Sequence, residues 1–518
     1  MRLSLSKWRG LAGLLGIPST LIILVVFLVG LFKWDVSLIY PALALNYFIS
    51  IFLSIRVINS PKKSDLFITF YLFIFLLLPC LGPFLYFLLG FDSIHGGNLE
   101  QYWEIMKRNK KHEELTPNLQ NPQSLSSKVF SYNREKYGAL VYENNQFKLL
   151  STPIEILSEI TTLIKNAKSF IHLEFYIFSD GLISDYILDL LREKTQEGVE
   201  VRLLVDYLGN FRRLSSRTRK KIKEFGIFLR CFNPLFSLRN KLWWQFRNHN
   251  KLIVVDGQYA FCGSCNIADE YFNITNFYFQ TTELGTIISG PIVNALNSLF
   301  CSHWNICQPR FNKGDFLLLD SLSYFQKVDK TRETGAIAQL LDSAPVASEL
   351  MIKGNLVQLI FSAKKSIVIS TPYFYPPKDL IMALKCASSS GVSIKILVPK
   401  QTDFKNFFRS LNRQLFSDLL SENIEIYEYF GFNHEKIMII DDELVYFGSY
   451  NWDYRALYLN FENALFVKCK KFRDSIYKFM ENQFKNSHQI VYDDLVFRNR
   501  TFTSACFNIF IRIFKPFL

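Results

Sequence analysis

The chain has 518 residues, with 59 Lys+Arg against 46 Asp+Glu for a net charge of +13; 49% of residues are apolar, 16% aromatic and only 20% charged. Few charges and many aromatics exclude a disordered chain, while 23 Gly, 17 Pro and 9 Cys exclude collagen-like and small disulfide-stapled classes. At roughly 150 residues per domain the length predicts about three structural units, and a basic excess on an apolar background points to an anionic partner, nucleic acid or lipid.

Three apolar runs crowd the front of the chain: about Leu11 to Phe32, Val36 to Ile55 and Leu66 to Phe91. Each reaches the ~20 residues that a helix needs to cross a bilayer, without the polar stripe of a core helix. The first is too long for the apolar part of a cleaved signal peptide, so anchoring is the expectation. Pro79-Cys-Leu-Gly-Pro83 predicts a kink or a re-entrant turn in the third run. Arg2, Lys7 and Arg9 before the first run, and Arg56, Lys62 and Lys63 after the second, place those segments in the cytoplasm and the body outside if all three span; two spans reverse this.

From about Asn98 to Asn145 the composition turns polar, as in a juxtamembrane linker, with Lys107-Arg-Asn-Lys-Lys111 available to lipid headgroups. Beyond it, strand-like runs (Phe170–Phe178, Val199–Val205, Leu252–Val255) alternate with amphipathic helical stretches (Ile154–Lys165, Ile183–Lys194). The order then recurs. Ala167-Lys-Ser-Phe-Ile-His is echoed by Lys364-Lys-Ser-Ile-Val-Ile, Gly198-Val-Glu-Val-Arg-Leu-Leu-Val by Gly391-Val-Ser-Ile-Lys-Ile-Leu-Val, and His249-Asn-Lys by His434-Glu-Lys. A repeat this long implies two similar domains rather than a solenoid. The expected layout is a membrane anchor (1–92), a linker (93–150), a first half (151–310), a connector (311–345), a second half (346–490) and an apolar basic tail (491–518).

Each copy carries His-x-Lys-x4-Asp, six residues, then Gly-Ser-x-Asn: His249, Lys251, Asp256, Ser264 and Asn266 in the first, His434, Lys436, Asp441, Ser449 and Asn451 in the second. On a strand, positions i and i+2 share a face, so His and Lys project together. Two imidazoles, two ammonium groups and neutral donors converging on one point describe a phosphodiester site. Lysines neutralise the non-bridging oxygens, and Ser and Asn add donors for the charge of the transition state. One neutral histidine attacks phosphorus while the other, protonated, donates to the leaving oxygen. The aspartates are candidates for orienting the imidazoles, with another role open. A lone His-x-Lys is usually an exposed pair, but the same spacing twice is poorly explained by chance. The remaining histidines (His95, His112, His172, His303, His488) recur in no pattern and read as structural or solvated.

With Ile171-His-Leu-Glu-Phe-Tyr-Ile-Phe, Arg247-Asn-His-Asn-Lys, Gly263-Ser-Cys-Asn-Ile-Ala-Asp-Glu-Tyr, Ser370-Thr-Pro-Tyr-Phe, Leu459-Asn-Phe-Glu-Asn and the apolar Leu77–Gly90 segment, the duplicated motif resembles the phospholipase D superfamily, and within it the bacterial cardiolipin synthases. The resemblance covers about Val36 to Asn486. It implies N-terminal transmembrane helices followed by two tandem phospholipase-D-like α/β domains related by pseudo-twofold symmetry, in a multi-pass protein of the cell membrane. It also implies transfer of a phosphatidyl group from one phosphatidylglycerol to another through a phosphohistidine, with His249 as nucleophile, His434 as acid and base, and no cofactor or metal. One departure is visible: where the family has Trp-Arg-Asp, this chain reads Asn276-Phe-Tyr-Phe-Gln-Thr-Thr-Glu-Leu. A hydrolytic phospholipase D or membrane-tethered nuclease on the same residues, or an inactive membrane scaffold, are the rival readings.

Between Arg212 and Lys251 there are twelve Lys/Arg against one acid, Glu224. With Trp243-Trp244 this stretch suits anionic headgroups as well as a plain solvated face; the apolar runs favour lipid over nucleic acid. The tail Phe507–Leu518 reads as an interfacial anchor or a cap on the second half. Cys262-x-x-Cys265 lacks a second ligand pair for zinc, and the odd, irregular cysteines predict free thiols, which sits awkwardly with a body outside the cell.

Overall fold

The computed structural model describes residues 2–59, 65–78, 80–87, 125–234, 245–307, 324, 335–345, 351–401 and 415–495. Lys107–Lys111, Trp243-Trp244, His95, His112 and the Phe507–Leu518 tail lie outside them, as does most of the linker and the connector.

The front of the chain is helical: Arg2–Lys33, Val36–Ile58, Asp65–Leu77 and the short Leu81–Leu85. Asp35 caps the second helix by accepting the Ser37 amide at 3.0 Å. Among the described residues, Val36–Ile58 is the one helix long and apolar enough to cross a membrane; Pro18–Lys33 and Phe67–Leu77 are shorter apolar helices. The third apolar run is not one continuous helix: it stops after Leu77 and resumes at Leu81, near the expected break. Leu81–Leu85 turns back along Asp65–Leu77. A Cβ on Gly82 would lie 2.8 Å from the Ile74 carbonyl, and Tyr71 meets Tyr86 edge-on at 5.0 Å.

The body is a mixed α/β fold. Its strands in chain order are β1 (Val141–Leu150), β2 (Phe170–Phe175), β3 (Glu200–Asp206), β4 (Phe228–Phe232), β5 (Arg247–Asn248), β6 (Lys251–Val255), β7 (Tyr259–Gly263), β8 (Thr281–Thr282) and β9 (Gly285–Ser289). They continue as β10 (Ala336–Ser343), β11 (Ser366–Ser370), β12 (Ser393–Pro399), β13 (Glu425–Tyr429), β14 (Phe432–Asn433), β15 (Ile437–Ile440), β16 (Leu444–Gly448), β17 (Asn460–Lys468) and β18 (Ser487–Gln489). One sheet spans the body, in the order β18-β13-β12-β11-β15-β16-β17-β10-β1-β9-β7-β6-β2-β3-β4. Read outward from the antiparallel β10–β1 pair, the two wings have the same sequence of strands, apart from the extra edge strand β18. Helices whose apolar stripes match their sequence periodicity cover both wings. Pro153–Asn166 is capped by Thr152, which accepts the Glu155 amide, while Glu155 accepts the Ser151 amide at 2.8 Å. Lys470–Lys485 buries Phe472, Ile476, Phe479 and Met480, each apolar side chain contributing roughly 1.5–3 kcal/mol on removal from water.

Two short ladders leave this plan and cross between the wings. β5 pairs in parallel with β17, and β14 pairs in parallel with β8. They carry the two His-x-Lys segments into contact with the opposite wing.

Candidate active site

The strand ahead of each motif is extended and buried, so His and Lys point the same way as the spacing predicts. His249 enters through β5: its amide donates to the Phe461 carbonyl at 3.0 Å. Behind it, the buried Glu174 accepts from Asn248 and from His303 Nδ1 at 2.6 Å, which fixes β5 from the rear. His434 enters symmetrically, its amide donating to the Thr282 carbonyl at 2.9 Å.

The acids that hold the imidazoles are not the motif aspartates. His249 Nδ1 lies 3.0 Å from Glu462 and 2.9 Å from the Ser449 carbonyl, both from the second half. His434 Nδ1 lies 2.7 Å from Glu283 Oε1, from the first half. All of these partners are acceptors, so Nδ1 carries the hydrogen in both rings; in a neutral His249 the lone pair then sits on Nε2. Asp256 and Asp441 occupy the other end of their strands. Seven residues of extended chain, at about 3.3 Å each, carry them well away from the histidines. There Asp256 accepts the amides of Lys168, Ser169 and Phe170, and Asp441 those of Lys364, Lys365 and Ser366. Both sit at positive φ (54° and 53°), closing the turn after the strand.

The serines are also committed differently from expectation. Ser264 donates to Glu283, and Ser449 donates to Glu462 at 2.5 Å; each hydroxyl in turn accepts an amide (Leu284, Asn463) at 2.9 Å. Each therefore orients an acid rather than offering its hydrogen to a phosphate. Asn266 accepts the Ile177 amide at 3.2 Å, and Asn451 donates to Asp453. Lys251 and Lys436 are buried and each donates to the carbonyl of its own histidine at 2.5 Å.

The electrostatics divide the two sides. Burial pulls the His249 imidazole down to about 4, against the pull of Glu462, and Lys251 adds to the depression. Burial opposes ionisation of Glu462, but His249, Lys251 and Ser449 outweigh it and hold the carboxyl below its usual range. Glu283, by contrast, is pushed up to about 7 by burial despite Lys436 and Ser264. Burial lowers both lysines, Lys436 to about 8. Next to His434 stands Glu435, also buried and pushed up to about 7 by burial, accepting from Ser370 at 2.8 Å and Thr282 at 3.1 Å. Its counterpart beside His249 is the neutral Asn250, which accepts from Asn463 at 2.6 Å.

A family model described as cardiolipin synthase, PLD-like domain, matches residues 160–304 and 356–487. A cardiolipin synthase of Clostridium perfringens is 31% identical over 451 residues, covering 85% of this chain and 92% of that protein. The chain belongs to the cardiolipin synthase family. Another member, from Geobacillus kaustophilus, is 32% identical over 380 residues, 72% of each chain. The crystal structure of a phosphatidylserine synthase from Haemophilus influenzae superposes with a TM-score of 0.58 at 16% identity, covering 80% of this chain and all of that one, and so shares the fold.

Sequence reasoning missed Glu283 and Glu462 as site residues. The signal was present: each is the acid that follows Gly-Ser-x-Asn at the entry to the next long strand. In the segment that departs from Trp-Arg-Asp, Thr281-Thr282-Glu283 keeps an acid, and that acid is the one on His434. Of the other histidines, His172 and His303 are buried in hydrogen bonds to Asn297 and Glu174, and His488 pairs with Asp494 at 2.8 Å. Eight cysteines among the described residues are free thiols.

Proposed function

We infer that this protein is a phosphatidyltransferase that makes cardiolipin from two molecules of phosphatidylglycerol. The observation that carries this reading, within a family of cardiolipin synthases, is the crossed pairing of two histidines with acids from opposite halves, each beside a buried lysine. His249 Nε2 attacks phosphorus; the bond to the leaving glycerol oxygen breaks and His434, as imidazolium, supplies the proton. The phosphatidyl group is then held on His249. A hydroxyl of the second phosphatidylglycerol gives its proton to His434 and attacks phosphorus, the P–N bond breaks, and both histidines return to their starting states. Lys251 and Lys436 carry the charge of the non-bridging oxygens, and Asn266 adds a neutral donor.

The two wings of the sheet act as tandem phospholipase-D-like domains about a pseudo-twofold axis, sharing one site. The N-terminal helices form a multi-pass anchor in the cell membrane. Val36–Ile58 supports this with its outward-facing Phe48, Ile51 and Phe52, flanked by the apolar Pro18–Lys33 and Phe67–Leu77. The test is to incubate the purified protein with phosphatidylglycerol and follow glycerol, cardiolipin and phosphatidic acid. Glycerol and cardiolipin in equal amounts are expected. Phosphatidic acid without cardiolipin would overturn transfer in favour of hydrolysis.

A further inference from the structure

A substrate with two acyl chains has to reach the histidines without leaving the bilayer, so the rim of the site matters as much as its floor. That rim lies at one end of the sheet. β2 ends opposite Lys251 and runs parallel to β3; β11 ends opposite Ile437 and runs parallel to β12 and β13. The segments leaving β3, β12 and β13 therefore emerge on the histidine side. They carry Phe211 and Arg212 from the first half and Lys400 and Phe430 from the second.

Between them stands a clasped loop. The Asn273 side chain accepts the Thr281 amide at 2.7 Å and donates to the Thr281 carbonyl at 3.0 Å, tying the loop's two ends together. Tyr278 faces inward and stacks on Phe432 at 4.3 Å, and Phe432 stacks on His434 at 5.2 Å. The neighbouring apolar side chains face out: Ile274 is 49% exposed and the rings of Phe277 61% and Phe279 75%, joined by Phe430 at 50% and Phe211 at 49%. Phe279 is held at φ 70°, a costly conformation for a bulky residue. Cations sit among these rings. Arg212 is exposed, and the Lys400 ammonium lies 5.4 Å from the centre of the Phe430 ring.

We propose that the 273–280 loop, with Phe211, Arg212, Lys400 and Phe430, is a membrane-docking rim that seats the mouth of the active site in the headgroup region of an anionic bilayer. Exposed aromatic rings interleaved with cations at the entrance to a lipid-phosphate site fit that interface by both burial and charge. The Asn273 side-chain clasp and the inward Tyr278 hold the rings over the His434 side of the site. The function of this rim rests on the lipid-substrate reading, but its occupant can be tested without turnover.

The full-length protein is reconstituted in phosphatidylglycerol-containing vesicles with bromine on the acyl chains, and Trp fluorescence is compared among the parent, Phe277→Trp, Phe279→Trp and Tyr259→Trp. Tyr259 is exposed at the opposite end of the sheet, where β7 begins. Bromine quenching above the parent at 277 and 279, but not at 259, is expected. No excess quenching at either position would overturn the proposal and assign the patch to a protein partner. In a second arm, Phe277→Ser/Phe279→Ser should lose about tenfold or more of its turnover on vesicles while keeping turnover of short-chain monomeric phosphatidylglycerol within about twofold. Equal loss on both substrates would overturn the proposal, because the rings would then serve the site rather than the membrane. If the parent turns over neither substrate, the synthase reading fails while the quenching result still decides the rim.

Discussion

The His249 and His434 arms share a plan and differ in charge. On the His249 side one carboxyl, Glu462, stays ionised, and the residue between His and Lys is the neutral Asn250. On the His434 side two buried carboxyls, Glu283 and Glu435, are both pushed up to about 7 by burial. The first arm holds a neutral imidazole ready to attack; the second is surrounded by groups that exchange protons near neutral pH. A duplicated motif thus yields unlike tools because the residue between its His and Lys and the surroundings of its partner acid differ, while His, Lys and acid are the same in both arms.

The sharpest way to break this comparison is to remove each ring. His249→Ala and His434→Ala should each lower turnover by at least about a thousandfold, since nucleophile and acid act as a unit. Mass spectrometry of the parent protein quenched during turnover should find the phosphatidyl adduct on His249; an adduct on His434 would reverse the assignment. Next come the acids. Glu462→Gln and Glu283→Gln should each cost roughly a hundredfold, by loosening the ring and its cation. For the parent, kcat/KM should rise as pH passes about 7, where Glu283 loses its proton, and fall as pH passes about 8, where Lys436 loses its own. Glu283→Gln should erase the acidic limb and move the alkaline one to lower pH, because the Glu283 carboxylate holds up the Lys436 ammonium; an unchanged profile would refute the role of Glu283.

Glu435 gives a smaller effect, on stability. Its folded carboxyl titrates near 7 instead of 4.5, so the folded state holds the proton more tightly and its stability falls as pH rises through that window. Glu435→Gln lacks this dependence. Thermal unfolding in detergent should find the variant gaining on the parent from pH 4.5 to 7, by at most about 3 kcal/mol. Smallest is Asp256→Ala, which should cost about 1–2 kcal/mol through its lost amide contacts and leave turnover of the folded protein unchanged. Loss of turnover without loss of stability would return the aspartate to the chemistry.

Much of this was legible in the linear chain. The repeat, the His-x-Lys strands, the alternation of strands with helices and the break in the third apolar run follow from local periodicity and from Pro and Gly placement. Sequence and structure differ where motif order and spatial order part. Asp256 is near His249 in sequence, yet an extended strand carries it to the opposite end of the sheet. Glu462 is 213 positions from His249 and touches it. No periodicity announces a contact made by β5 leaving its own wing to pair with β17. In the linear chain Ser264 and Ser449 look like phosphate donors, because a hydroxyl's partner is invisible until the acid beside it is known.

The crossing of acids and histidines has a consequence for how such a gene can change. Surface loops and outer strands of either copy are free to drift, because what they touch belongs to the same copy. At Glu283, Glu462 and the two histidines the copies are instead each other's environment. A substitution in one half retunes the proton affinity of a ring encoded 151 or 213 codons away, so a change at any of these four positions in one half has to be tolerated by the other.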